Sequence, residues 1–378
     1  MRQIYLNNAT DAYPLISGVV ETMASYMQNP TSFSGRDGSG NPDCLFRCRS
    51  NVAELLEVHP EQIVFLSGAT HGLNAAILGV SLKPGDLVIT SVTEHNSVLR
   101  PLARLQDLLG VRIAYVPLTD DMRLDDKLFN DFLNQKPRLV VLNHAGNVTG
   151  RINPVRPWFE KAKSAGATTL LDASQTVGRI PVRPRELSAD LVVFPGHKGL
   201  RGPLGTGVLW VAPEVSLAPA FVGGTGYKSE LREQPEEMPA RLEAGTPNTP
   251  AFVGLEQSVL YIRNNFADII AAERSLTQML YRGLSEIENV QIFDGENLAE
   301  DERIPILSFR IAGMELDQAG FALTESFGIH CRTGLHCAPL IHSYLGSLPD
   351  GTVRFSPSFA TPKEDIDYAI DAVRRLAA

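Results

Sequence analysis

Leu191–Gly207 reads LVVFPGHKGLRGPLGTG. Leu191 to Phe194 is an uninterrupted apolar run, the pattern a strand shows when a sheet is covered on both faces. Pro195, Gly196, Gly199, Gly202, Pro203, Gly205 and Gly207 then break it into a turn that carries one lysine, Lys198. A lysine just past a buried strand projects toward the crevice where α/β sheets bind ligands. The competing reading is a surface lysine in a loop.

Outward from this stretch, six further strand-like segments share its character: Ile63–Leu66, Leu87–Ser91, Val111–Val116, Leu139–Leu142, Thr168–Leu171 and Val208–Val211. Amphipathic stretches such as Ser97–Leu109 and Asp125–Gln135 separate most of them, which predicts an α/β fold with a mainly parallel, seven-stranded sheet. On the N-terminal side, Ile16, Val19, Val20, Met23, Tyr26 and Met27 recur at helical spacing. A polar, glycine-containing loop follows over Asn29–Asp43, and a helix over Asp43–Glu57. Past Gly245 a long helix is expected over Ala251–Ile287, then a smaller set: strands Val290–Phe293, Ile304–Ile311 and Thr352–Ser356, with helices near Asp317–Phe327 and Lys363–Leu376. The expected division is residues 1–15 as a segment packing on the small domain, 16–250 as the large domain and 251–378 as the smaller C-terminal α/β domain.

A length of 378 residues with 44% hydrophobic and 20% charged residues suits two globular domains. A net charge of −9 without basic runs argues against nucleic acid or an anionic membrane as the main partner. The start, MRQIYLNNATDAYP, lacks the features of a signal peptide, and no apolar window reaches membrane-spanning length, so a cytoplasmic setting is expected. Four cysteines are too few for a disulfide scaffold; Cys44 and Cys48 have helical rather than zinc-knuckle spacing, and no metal site is expected.

The other chemistry-bearing residues stand just past the same strands. Ser67-Gly68-Ala69-Thr70 opens a helix whose free N–H groups can cradle a phosphate, although Thr70 as a plain helix cap explains the residues equally well. Asp172 ends TTLL and can pair with a protonated pyridine nitrogen, with Gln175 reaching a phenolic oxygen; a turn cap is the ordinary alternative. With Lys198 able to form a Schiff base, these are the parts of a pyridoxal phosphate (PLP) site. His95 follows LVITS and can stack on a ring or move a proton, or be a satisfied structural histidine. Asn147, in NHAGNVTG, doubles as a turn former. Cys337, between His336 and the Ala338-Pro339 turn with Arg332 nearby, has the setting of an exposed thiol, whereas Cys331 suits core packing. Arg354, on the apolar strand TVRFS, needs an anion, either a substrate carboxylate or a salt-bridge partner.

Taken in order, SGATHGLN, TEHNSV, NHAGNVTG, LDASQT, PGHKG, EAGTPNT, RTGLHCAPL and GTVRFS closely resemble the class V aminotransferase family, and within it the SufS-like (group II) cysteine desulfurases. The resemblance runs from Tyr5 to the final helix. It implies the type I fold of PLP-dependent transferases, with Lys198 bonded to the cofactor, Asp172 at the pyridine nitrogen, Gln175 at the ring oxygen and His95 on the ring. It further implies Ala69, Thr70 and His197 at the phosphate, joined by Thr246 from the other subunit of a homodimer with shared active sites. Asn147, which would also border the cofactor, would with Arg332 and Arg354 hold the substrate, L-cysteine, whose carboxylate is Arg354's ligand. Cys337 would take the sulfur as a persulfide for an acceptor protein. Three positions depart from the pattern. Pro195 stands where a serine is common, Leu6-Asn7-Asn8-Ala9-Thr10 lacks the acid of LDNAAT, and Ser34–Gly38 lacks a histidine. A C–S β-lyase, a selenocysteine lyase or another biosynthetic class V enzyme would share the cofactor site. A non-catalytic phosphate-binding protein would share only its cradle.

Overall fold

The computed structural model describes residues 2–30, 43–293 and 302–378. Most of the loop expected over Asn29–Asp43, including Ser34–Gly38, lies outside them. The chain begins with strand β1 (Ile4–Tyr5), then α1 (Val19–Gln28) and α2 (Cys44–Leu56), the latter started by Asp43, whose side chain accepts from the Leu45 N–H. Next come β2 (Ile63–Leu66), α3 (Ala69–Gly79), β3 (Leu87–Ser91), α4 (Asn96–Leu109), β4 (Arg112–Val116) and α5 (Asp126–Leu133). β5 (Leu139–Asn143), α6 (Val155–Ser164), β6 (Thr168–Asp172), β7 (Leu191–Pro195) and β8 (Gly207–Val211) complete one sheet, in the order β2-β8-β7-β6-β5-β3-β4.

Six of these seven strands point one way, and β8 runs antiparallel to both β7 and β2. The reason lies in the connection: a parallel return needs a crossover of a dozen residues or more, usually a helix, and the glycine-rich turn after β7 contains none. Along β7, Leu191 and Val193 join one core and Val192 and Phe194 the other. This period of two explains the uninterrupted apolar run: both faces are covered.

Beyond β8 the chain forms α7 (Thr249–Asn264), α8 (Phe266–Ser285), β9 (Val290–Phe293), β10 (Leu307–Ile311), α9 (Leu316–Phe321), β11 (Ile329–His330), β12 (Arg332–Gly334), α10 (Ile341–Tyr344), β13 (Thr352–Phe355) and α11 (Lys363–Leu376). β12-β13-β10-β9 is an antiparallel sheet with its own core, and β1 pairs with β11. The N-terminal segment also bonds Asn8 to the Ser356 carbonyl at 3.0 Å and Ala12 to the His197 carbonyl at 2.9 Å, so it links this smaller sheet to the Lys198 turn.

Three expectations need correction. The long helix breaks at Asn265, whose φ of −121° and ψ of 16° leave the helical region. Residue 251 does not separate two packing units: Phe252, Leu255, Val259, Ile262 and Ile269 belong to the large-sheet core, and the smaller core begins at Leu276. The strand expected over Ile304–Ile311 starts at Leu307, because Ile304 and Ile306 instead pack with Ala9 and Ala145 between the sheets. No helix among the described residues is long and apolar enough to cross a membrane.

Candidate active site

A cavity of about 370 Å³ opens at the carboxyl ends of the large-sheet strands, and Ala69, Thr70, His95, Asn147, Asp172, Gln175, His197, Lys198, Arg332 and Arg354 all line it. This volume is ordinary for a cofactor site. β6 and β7 are direct neighbours, with Asp172 opposite Val193, so Asp172 and the Lys198 turn meet by strand order alone. Burial brings the Lys198 ammonium down to about 8; Arg354, Arg179 and Arg332 push the same way and Asp172 opposes them. Burial also raises the Asp172 carboxyl above its usual range, against the Ser174 N–H bond at 2.9 Å and Lys198. That bond occupies one carboxylate oxygen, so Asp172 both caps the turn and faces the cavity.

Ala69 is the first residue of α3, and Gly68 rather than Thr70 is its cap. The first helical hydrogen bond is from Gly72 N–H to the Gly68 carbonyl, which leaves the N–H groups of Ala69, Thr70 and His71 without helical partners. Close packing fixes this cradle: a Cβ on Gly207 would lie 2.5 Å from the Gly68 backbone. His95 caps α4, with Nδ1 accepting from the Ser97 N–H at 3.0 Å. Burial, with Lys198 and the arginines, brings its imidazole down to about 4, so it is neutral at pH 7 with the proton on Nε2. Beneath it Glu94 is fully buried and its carboxyl is pushed up to about 8, while Oε1 accepts from Ser91 and from the Asn143 N–H.

The opposite wall comes from the smaller sheet. Val353 and Phe355 face its core, so Arg354 points the other way, across the cavity mouth, with 1% exposure. Its guanidinium donates to the Asn147 carbonyl at 2.9 Å, Thr10 Oγ1 at 2.9 Å and Asn7 Oδ1 at 3.3 Å. No carboxylate pairs with it among the described residues, and burial, with Arg332 and Arg179 nearby, brings its cation down to about 9. Arg332 reaches Cys337 Sγ at 3.2 Å. Cys337 does not itself line the cavity; it is half-buried, one contact away through Arg332, in a turn where His336 and Cys337 both have left-handed backbone, φ 50° and 59°. Two bonds of 2.7 Å dock this turn on the large-sheet side: Asn147 Nδ2 to the His336 carbonyl and the Asn96 N–H to the Cys337 carbonyl.

Two expected contacts are partly engaged elsewhere. One hydrogen of the Asn147 amide is used on His336, and Gln175 Nε2 donates to the Ala9 carbonyl at 3.0 Å. Thr246 lies outside the cavity, on an exposed loop lining a separate cleft. The sequence assigns no individual role to Asn7, Thr10, Asn96, Ser97 and Asn143, which the fold brings to the site. All five lie inside stretches the sequence marks: Asn7 and Thr10 in Leu6–Thr10, Asn96 and Ser97 in TEHNSV, and Asn143 at the start of NHAGNVTG. Three buried polar atoms are left for a ligand: Gln175 Oε1, His197 Nδ1 and Arg354 Nε have no hydrogen-bond partner.

The sequence matches the model of the class-V aminotransferases over residues 4–369. It is 30% identical to a probable cysteine desulfurase of Methanothermobacter thermautotrophicus over 99% of this chain and 94% of the relative. It is also 30% identical to a cysteine desulfurase of Pectobacterium atrosepticum, over 87% of this chain and 81% of the relative. Among solved structures, the apo cysteine desulfurase of Thermococcus onnurineus NA1 superposes with a TM-score of 0.89 at 28% identity, covering 99% of this chain and 94% of the other. The cysteine desulfurase CsdA of Escherichia coli, in its S-sulfonic acid form, gives 0.87 at 28%, again over 99% and 94%. Spanned almost end to end by the family model, the chain belongs to the class-V aminotransferase family.

Proposed function

We propose that this chain is a PLP-dependent cysteine desulfurase that takes sulfur from L-cysteine, leaves alanine and carries the sulfur as a persulfide on Cys337. The observation that carries this reading is Arg332, one side chain that lines the cavity with Lys198 and Asp172 and also holds Cys337 Sγ at 3.2 Å. PLP suits the residues present: a lysine whose amine is readily deprotonated, a carboxylate opposite it, the open N-terminus of α3 and the unpartnered His197 Nδ1. When bound, the cofactor supplies an electron sink next to the substrate Cα.

Lys198 would hold PLP covalently, Asp172 would face the pyridine nitrogen, His95 would cover the ring, Gln175 would border its oxygen, and Ala69, Thr70 and His197 would bind the phosphate. Arg354, without a carboxylate of its own, orients the substrate carboxylate, and Asn147 borders that group. Lys198 takes the Cα proton, a task suited to an amine near pH 8. The Cys337 thiolate then attacks the substrate sulfur: an S–S bond forms, the Cβ–S bond breaks with its electron pair left on carbon, and protonation of that carbon, with return of the proton from Lys198 to Cα, completes alanine. Arg332 holds the Cys337 sulfur through a contact of 3.2 Å. The exposed Thr246 loop suits a contribution to the neighbouring site of a homodimer, and the short span from Cys337 to β13 suits hand-over to an acceptor protein.

The test is product analysis with L-cysteine and a reductant. Alanine and sulfide in equal amounts are expected from the wild type and neither from Cys337→Ala. Pyruvate as product would indicate a β-lyase instead, and full activity in Cys337→Ala would overturn the assignment of the nucleophile.

A further inference from the structure

Ser97 has no place in the chemistry above, yet its hydroxyl joins Thr70, which would bind the phosphate, to His95, which would cover the ring. Ser97 Oγ lies 2.8 Å from Thr70 Oγ1, at the start of α3, and 2.9 Å from His95 Nδ1. The Ser97 N–H also points at Nδ1, at 3.0 Å. A ring nitrogen receiving an N–H carries no proton of its own, so it cannot donate to Ser97 Oγ. Two hydroxyl arrangements keep the hydrogen bond between Thr70 and Ser97. In one, Thr70 donates to Ser97 and Ser97 donates to His95 Nδ1. In the other, Thr70 turns its proton to an anion, Ser97 donates to Thr70, and Nδ1 keeps the backbone N–H alone.

We infer that Ser97 is a positioning residue that couples the anion held at Thr70 to the hydrogen bonding, and thus the basicity, of His95. The inference rests on the reading that a phosphate group docks at the N-terminus of α3. An empty cradle gives Nδ1 two donors and a weaker base. A filled cradle removes one of them, so the imidazole is tuned when the phosphate end is in place. The charged groups acting on His95 are Lys198 from the turn after β7, Arg332 from β12, Arg354 from β13 and Arg100 from α4. None of them changes partner in this exchange.

The experiment uses the full-length chain freed of cofactor, with inorganic phosphate as the probe and the ring-nitrogen resonances of His95, assigned through His95→Gln, as the readout. In the wild type, phosphate should move the Nδ1 resonance. Ser97→Ala should lose at least half of that shift and bind phosphate roughly two- to tenfold more weakly, the worth of one neutral hydrogen bond. Ser97→Thr, which restores the hydroxyl, should regain both. A shift of the same size in Ser97→Ala overturns the coupling, as does phosphate that leaves His95 unmoved in the wild type. Because alanine release from L-cysteine is measured separately, a chain that desulfurises without this coupling defeats the role of Ser97 and leaves the proposed function standing.

Discussion

On the large-sheet side of the cavity, Asp172 ends β6 and Lys198 and His95 lie just past β7 and β3, on a ladder whose side chains fill two cores. On the small-sheet side, Arg332 sits on a three-residue strand, and Cys337 on a left-handed turn that hangs from a few hydrogen bonds. The difference follows from what each wall does. Groups meant to shift one another's ionisation must be desolvated and fixed, which dense strand packing provides. A sulfur that is to accept a second sulfur and pass it on, the role proposed for Cys337, must meet solvent or a partner, and Cys337 is half-buried outside the packed layers in a turn held by hydrogen bonds.

The largest test of this contrast removes Lys198. Lys198→Ala should lower kcat/KM by on the order of 10²–10⁴, the range for a positioned acid–base group, and should abolish covalent retention of PLP, seen as loss of the yellow absorbance. Fold stability should move the other way. The Lys198 amine is held near 8 in the folded chain against 10.5 for an ordinary lysine, so the folded state binds its proton more weakly than the unfolded state. The resulting penalty is complete below pH 8 and is relieved as pH rises toward the unfolded value. Lys198→Met, measured without cofactor by urea unfolding, should therefore be more stable than wild type at pH 7, by about 1–3 kcal/mol, with the gap shrinking by pH 9.5. A variant less stable than wild type at pH 7 would mean that the lysine is not held at a cost, and would break the contrast on its rigid side.

Asn147→Ala probes the other wall. It strips the donor from the buried His336 carbonyl, and an unpaired buried acceptor costs about 1–3 kcal/mol. If the Cys337 turn is aimed by hydrogen bonds, sulfur transfer to Cys337, measured as persulfide formed in a single turnover, should slow by about tenfold, with the cofactor absorbance unchanged. An altered spectrum at unchanged transfer would place Asn147 with the cofactor and erase the distinction between the walls.

Legibility in the sequence divides along the same line. The large-sheet residues could be found because each follows an apolar run: LVVFP announces Lys198, TTLLD announces Asp172 and LVITS announces His95. Adjacency of β6 and β7 then brought two of them together. On the small-sheet wall only Arg354, inside the apolar run TVRFS, has such a flag. β12 is Arg-Thr-Gly, too short and polar to show a period, and on the facing large-sheet side Asn147, just past the apolar run of β5, carries no sign that its amide faces a backbone carbonyl 189 positions away. The bond between Ser97 and Thr70, 27 positions apart, depends on α3 and α4 opening toward the same cavity, which no local pattern encodes.

The smallest expected effect concerns Asn7, where the chain departs from the acidic pattern of its family. Asn7 Oδ1 accepts from Arg354 at 3.3 Å, and no carboxylate among the described residues pairs with that arginine. Asn7→Asp would supply one, replacing a neutral acceptor by a charged one and strengthening the bond by about 1 kcal/mol. Two consequences should appear together above the pH at which the introduced carboxyl ionises. The folded chain gains roughly that amount in urea unfolding, and KM for L-cysteine rises about fivefold at unchanged kcat, because the same guanidinium now has an internal competitor for the substrate carboxylate. Both changes fade as pH falls through the pKa of that carboxyl. Stability gained with KM unmoved would mean that Arg354 is a structural cation joining Asn147 to the N-terminal segment, and that the substrate carboxylate is held by Arg332 instead.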